Sequence, residues 1–232
     1  MTLADQFITE RRYLKNVSGK TVAWYQHSFK AFNGALDTRS AIIARIAELR
    51  QRGVTAGSVN TYLRCINAYF RWLHLEHNHD LLRLPKPKEE QKVLATFSPQ
   101  HVAALTHHRP KGTNAVRAWM ISMVMLDSGL RVSEALGTRR QDLDFENLVI
   151  RVRGKGGKER LLPMSIELRR HLWRYVRERD GFVFATRTGT AVTVRNFQRD
   201  LAALCATLGI TGVRCSPHTF AAGYLRNGGN LY

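Results

Sequence analysis

The stretch Leu126-Asp127-Ser128-Gly129-Leu130-Arg131-Val132-Ser133-Glu134-Ala135-Leu136 sets an arginine just past a glycine corner. Gly129 suits a left-handed residue that ends one helix, and Arg131 opens the next. An arginine so placed projects from rigid backbone. Arg131 and Glu134 lie three residues apart on one helical face. On their own they read as a surface pair worth about 0.2–0.5 kcal/mol. A second stretch, Val152-Arg153-Gly154-Lys155-Gly156-Gly157-Lys158-Glu159-Arg160, reads as a basic hairpin. Glycines let its backbone turn sharply and approach another molecule closely. Lysines at such a tip can reach a phosphate, as could Arg153 and Arg160 beside them. The plain alternative is a solvated charged turn. A P-loop is excluded, because no strand-GxxxxGK[ST]-helix context surrounds the glycines. A third stretch, Cys215-Ser216-Pro217-His218-Thr219-Phe220, puts a histidine just after a proline. There it opens a helix and can point into a cleft.

These residues need elements to hold them. From Ser18 onward, Val22, Tyr25, Phe29, Phe32 and Leu36 recur at steps of three and four, which lines one helix face. Ile42, Ile43, Ile46 and Leu49 form a second stripe, stopped by Gly53. A third helix starts from a cap at Thr55 and runs through Val59, Leu63, Ile66 and Phe70 to Leu73. Residues 1–80 are therefore expected to form a helical domain. Pro85, Pro87 and the charged run from Lys86 to Lys92 suit an extended linker over 81–97. Ser98-Pro99 then starts a new helix, with serine as cap and proline in its first turn. Beyond it, helices are expected at about 114–128 and 132–136. A strand carries Leu148, Ile150 and Val152, and a returning strand spans 160–163. Further helices follow at about 165–179 and, capped by Thr193, at 194–208. The fold class is mainly α with a small β-sheet inside the second domain, residues 98–232.

In this order and spacing the three stretches resemble the tyrosine site-specific recombinases, the phage-type integrases. That family carries a "TGLRxSEL" segment, a "GKGxKxR.vP" hairpin and an "HxLRHTFA" segment. This chain reads DSGLRVSEAL, RGKGGKERLLP and SPHTFAAGYLRNGGN. The resemblance covers nearly the whole chain, with the first helices similar to the family's core-binding domain. It implies a strand transferase that cuts DNA with a tyrosine, leaving a 3′-phosphotyrosyl link and a free 5′-hydroxyl. Two arginines clamp the non-bridging oxygens, a hairpin lysine protonates the leaving oxygen, and histidines assist. By this match Arg131 is the first arginine and His218 the first histidine. Lys155 is the hairpin lysine, with Lys158 as second choice. Lys158, Arg160 and Arg153 are expected DNA contacts, and Glu134 supports Arg131. No metal or other cofactor is implied, because the covalent link keeps the phosphodiester energy. The implied partners are double-stranded DNA and further copies of the chain, a tetramer on DNA in the family.

The match then departs from the family. Three residues after His218, where the family has its second arginine, stands Ala221. Tyr224 and Tyr232 follow His218 by only 6 and 14 residues. Both stand closer than the family's nucleophile. Arg226 occupies a place that varies in the family. The expectation is a catalytic domain cut short at its C-terminus, which binds DNA without cleaving it. The competing expectation is a regulatory module that occupies recombination sites as a decoy. A helix-turn-helix repressor would explain the charge, but not the pairing of GLRVSE with GKGGK.

Composition agrees with a polyanionic partner. There are 36 Lys and Arg against 18 Asp and Glu, a formal charge of +18. Residues 1–90 carry 14 basic and 8 acidic side chains, and residues 91–232 carry 22 and 10. Two basic domains suit a protein that wraps a duplex. Cys65, Cys205 and Cys215 form no CxxC pair and suit a reducing compartment. No signal-peptide core opens the chain, and no apolar run approaches the roughly 18 residues of a membrane span. A cytoplasmic, non-membrane protein is expected.

Overall fold

The structure is a computed structural model that describes residues 1–84, 86–89, 95–154, 159–177, 180–217 and 219–220. The chain divides into two compact units, Met1–Lys92 and Val93–Tyr232.

The first unit holds four helices, α1 (Leu3–Tyr13), α2 (Gly19–Phe32), α3 (Arg39–Gln51) and α4 (Ala56–His77). Each begins at a hydroxyl cap, namely Thr2, Ser18, Thr38 and Thr55, whose side chain accepts an otherwise unpaired helical N–H. Asn33 and Asn78 close α2 and α4 in the left-handed conformation. Phe7 of α1 is the centre of the core and is fully buried. The rings of Tyr25, Tyr69 and Trp72 meet it edge-on at 5.2, 5.5 and 5.6 Å. α1 has no counterpart in the periodicity described above, because Phe7 is its only buried residue. In α3, Ile42 and Leu49 are buried but Ile43 is half exposed, so its apolar stripe is narrower than expected. Leu84 is also part of this core. Asn67 on α4 holds the Leu84 backbone from both sides, donating to its carbonyl at 3.1 Å and accepting from its amide at 2.9 Å. Part of the expected linker is thus pinned against α4.

The second unit is wrapped around one helix. α6 (Thr113–Ser128) is buried continuously from Arg117 to Leu126. Around it lie α5 (Pro99–His107), α7 (Val132–Gly137), α8 (Ile166–Val176) and α9 (Val194–Thr207). Ser122 and Ser128 satisfy their hydroxyls inside this apolar setting by bonding back to the Ala118 and Val124 carbonyls. Ser98 caps α5 with Pro99 in its first turn, and Thr193 caps α9, as their sequences predict. A 3-10 turn at Arg140–Asp142 leads into an antiparallel sheet of order β1-β2-β3. Its strands are β1 (Leu143–Asp144), β2 (Val149–Arg153) and β3 (Glu159–Pro163). Ile150 and Val152 face the core. Leu148 takes a left-handed φ of 56°, so the strand starts one residue later than its alternation suggests. Cys65 and Cys205 are buried and Cys215 is half-buried. Among the described residues no helix is long and apolar enough to cross a membrane.

Candidate functional site

The α6–α7 corner forms as its sequence dictates. Gly129 ends α6 with φ 65°, its N–H donating to the Met125 carbonyl. Arg131 follows as the N-terminal cap position of α7. Glu134 sits three residues on, and its carboxylate accepts the Arg131 backbone N–H at 2.9 Å. The same carboxylate accepts Nη1 of Arg131 at 3.2 Å. It also takes both terminal nitrogens of Arg160, at 3.1 and 3.0 Å, from β3. Only 8% of the Glu134 side chain is exposed, against 75% for Arg131 and 39% for Arg160. Burial alone would push the Glu134 carboxyl up. The hydrogen bonds from Arg160 and Arg131 outweigh it and hold the carboxyl below its usual range.

Strand geometry explains why Arg160 reaches this carboxylate and Arg153 does not. Arg160 pairs with Val152 across the ladder, so both point to the core side. Arg153 pairs with Glu159 on the opposite face, where the two side chains form an exposed ion pair at 2.9 Å.

A second carboxylate braces the corner. Asp127, near the end of α6, accepts the backbone N–H of Ser165 at 3.0 Å, and Ser165 caps α8. Burial pushes the Asp127 carboxyl up, partly offset by the bonds from Ser165. Asp127 and Glu134 therefore bracket Arg131. One fastens the corner just after β3, the other to β3 itself. This bracing was not evident in the sequence. Asp127 stands inside the first chemical stretch, but its partner lies 38 residues away.

Of the residues singled out from sequence, Arg131, Glu134 and Arg160 come together, while Arg153 stands apart. Lys155, Lys158 and His218 lie outside the described residues. The flanks of His218 are described. Pro217 and Thr219 are buried, and Phe220 packs on Phe97 at 4.9 Å within the core. Thr219 donates its hydroxyl to the Arg214 carbonyl and its backbone N–H to that of Ser216. Among the described residues no group of three His, Cys, Asp or Glu is arranged to hold a metal ion.

Two cations share the one carboxylate of Glu134, so the Arg131–Glu134–Arg160 cluster is net positive, while Asp127 is turned to the Ser165 N–H. The Arg131 guanidinium gives one N–H to Glu134, and among the described residues no other group takes the rest of its fork. That arrangement suits a planar or tetrahedral oxyanion guest.

Residues 95–231 match the Phage integrase family. Tyrosine recombinase XerA of Pyrococcus furiosus is 31% identical over 184 residues, covering 77% of this chain and 63% of that protein. The chain thus spans less than two thirds of that relative's length. Tyrosine recombinase XerD of Listeria monocytogenes is 26% identical over 246 residues, covering 94% and 82%. Among solved structures, an integrase of transposon Tn1549 in complex with transposon right end DNA superposes with a TM-score of 0.75. It is 18% identical and covers 99% of this chain and 88% of that one. A lambda integrase tetramer bound to a Holliday junction gives the same score at 14% identity, covering 97% and 71%. At such identities the likeness is one of fold.

Proposed function

The chain belongs to the phage integrase family, and on that premise we propose that it binds double-stranded DNA in the cytoplasm and holds one backbone phosphate at Arg131. The observation that carries this reading is Glu134, which ties Arg131 to Arg160 and leaves the Arg131 fork open. A guest phosphate would take the donors that Glu134 does not use. Arg160, Arg153 and Lys158 would contact the flanking backbone. Such contacts position a duplex without reading its sequence.

In an active member of the family the chemistry at this placement would be strand transfer through a 3′-phosphotyrosyl link. A tyrosine hydroxyl gives up its proton to a general base as its oxygen attacks phosphorus, and the bond to the 5′-oxygen breaks. Lys155, or Lys158 in its place, gives that oxygen its proton, and His218 assists proton transfer. Negative charge builds on the non-bridging oxygens, which Arg131 stabilises. The family's second guanidinium would stand three residues after His218, and this chain has Ala221 there. Loss of one such donor typically costs about 10²–10³ in rate. We therefore read this polypeptide as a member that binds recombination sites without cutting them, a decoy for active copies.

Fluorescence anisotropy against a duplex across a salt series tests the binding. Affinity is expected to fall by about 10³-fold or more between roughly 50 and 200 mM salt, as released counterions require. A salt-insensitive affinity, or no binding at low salt, overturns it. Incubation with duplexes selected for tight binding, followed by denaturing electrophoresis, tests the loss of cleavage. No covalent protein–DNA adduct is expected. An adduct that disappears in Tyr224→Phe or Tyr232→Phe would refute the non-cutting reading and leave the binding reading intact.

A further inference from the structure

The first unit carries a groove of about 1110 Å³ that the DNA reading does not use. α1 supplies one wall with Glu10 and Arg11, continued by Leu14 and Lys15. α4 supplies the floor with Asn67, Ala68, Arg71, Trp72, Leu75 and Glu76, which recur at steps of three and four. The third wall is the segment Leu81-Leu82-Arg83. That wall is anchored at its two ends, where the His74 ring bonds the His79 carbonyl at 2.8 Å and Asn67 grips the Leu84 backbone. These contacts tie the segment to α4 on both sides of Leu81–Arg83.

Its lining combines two features. Leu14, Leu75 and Leu81 are 75%, 66% and 58% exposed, and all three line it. Around them stand Arg11, Lys15, Arg71 and Arg83. None of these four forms an ion pair within 4 Å among the described residues. The Nε of Arg11 is buried with no hydrogen-bond partner among those residues. Of the two lining carboxylates, Glu10 is already engaged by the Trp72 indole at 2.7 Å and by Gln6 at 3.0 Å. The volume lies just above the range typical of small-ligand sites, about 300–1,000 Å³.

We propose that this groove receives an amphipathic helix of an acidic partner protein, with leucine-type side chains on Leu14, Leu75 and Leu81 and carboxylates on the surrounding cations. Charge argues against a second copy of this chain, whose formal charge is +18. The exposed leucines argue against a nucleic acid, since a phosphate backbone gains nothing from covering them. Apolar anchors at i, i+3, i+4 and i+7 in a hydrophobic groove are a recurrent mode of peptide recognition.

A fluorescein-labelled helical peptide with leucines at i, i+3, i+4 and i+7 and glutamates elsewhere is the probe. Its scrambled isomer, of identical charge, is the control. The full chain is titrated into each by anisotropy. The striped peptide is expected to bind at least tenfold tighter than the scramble. The double variant Leu75→Glu, Leu81→Glu is expected to lose that advantage while keeping duplex affinity. Both positions are exposed, and a circular dichroism spectrum like that of the unmodified chain shows that the fold survives. Equal binding of the two peptides overturns the proposal, as does indifference to the double variant. Loss of duplex affinity in the double variant would make the groove a DNA surface. A concentration-dependent dimer abolished by the variant would make its occupant a second copy. Either result refutes the acidic partner, and neither touches the reading of Arg131.

Discussion

Arg117 lies in the first turns of α6 and Arg131 just past its end, and each meets a carboxylate on opposite terms. Arg117 is enclosed, with 11% of its side chain exposed. It pairs with Asp200 of α9 at 3.6 Å and donates to Asn114 and to the Ala185 carbonyl. Both terminal nitrogens of its fork are engaged by protein, so it ties α6 to α9 and the loop before it. Among the described residues Arg131 meets one buried carboxylate, and 75% of its side chain is exposed. A filled fork is a structural bolt, and a half-filled one has room for a guest. Solvent exposure and partner count separate the two roles where sequence shows only two arginines 14 residues apart.

The sharpest way to break this contrast is at Arg117. Arg117→Ala is expected to destabilise the second unit by about 3 kcal/mol, the cost of stranding one member of a buried pair. Arg199 also reaches Asp200, at 2.8 Å, which keeps the loss from the upper end of that class. Urea melts followed by far-ultraviolet circular dichroism measure it. The double change Arg117→Met, Asp200→Leu should restore most of the stability. A loss below about 1 kcal/mol in the single variant would show that the filled fork is ornamental.

An intermediate effect is expected at the two carboxylates that bracket Arg131. The Glu134 carboxyl is held below its usual range, so its share of stability is present at neutral pH. It disappears as pH falls below about 4.3 and through the folded-state value. Asp127 is pushed up by burial, so ionising it costs stability as pH rises from about 3.9. The two work against each other in acid. Glu134→Gln should flatten the loss on acidification and lower neutral-pH stability by about 1–2 kcal/mol. Asp127→Asn should steepen the loss. Matched acid limbs in both variants would show that neither carboxyl is perturbed as described.

The smallest effect on folding belongs to Arg131 itself. Arg131→Ala is expected to shift stability by no more than about 0.5 kcal/mol, since an exposed member of an ion pair contributes little. Its effect should appear on DNA instead, as a weaker affinity and a salt slope reduced by about 1. A large stability loss would place Arg131 in the same class as Arg117.

Much of this architecture is written locally and some of it is not. Hydroxyl caps at Ser18, Thr55, Ser98 and Thr193 and the corner at Gly129 are short-range signals, and the helices begin and end at them. α1 escaped because a helix with one anchor, Phe7, has no apolar stripe to detect. The two-residue strand β1 is too short for alternation to register. Leu84 sits in a stretch whose prolines and charges read as linker, and only the packing against α4 reveals it as core. At the site, Arg131 and Glu134 were visible as a helical pair. The tie to Arg160 was not, because it joins residues 26 apart through strand register.

Enclosure of α6 has a kinetic consequence. With α5, α7, α8 and α9 around it, its amides from about Arg117 to Leu126 have no route to solvent short of dismantling the unit. In deuterated water those protons should be the last to exchange, at a rate set by global opening. Arg131 rides on the turn just beyond that slowest segment. A phosphate held there is therefore held by the part of the unit that breathes least.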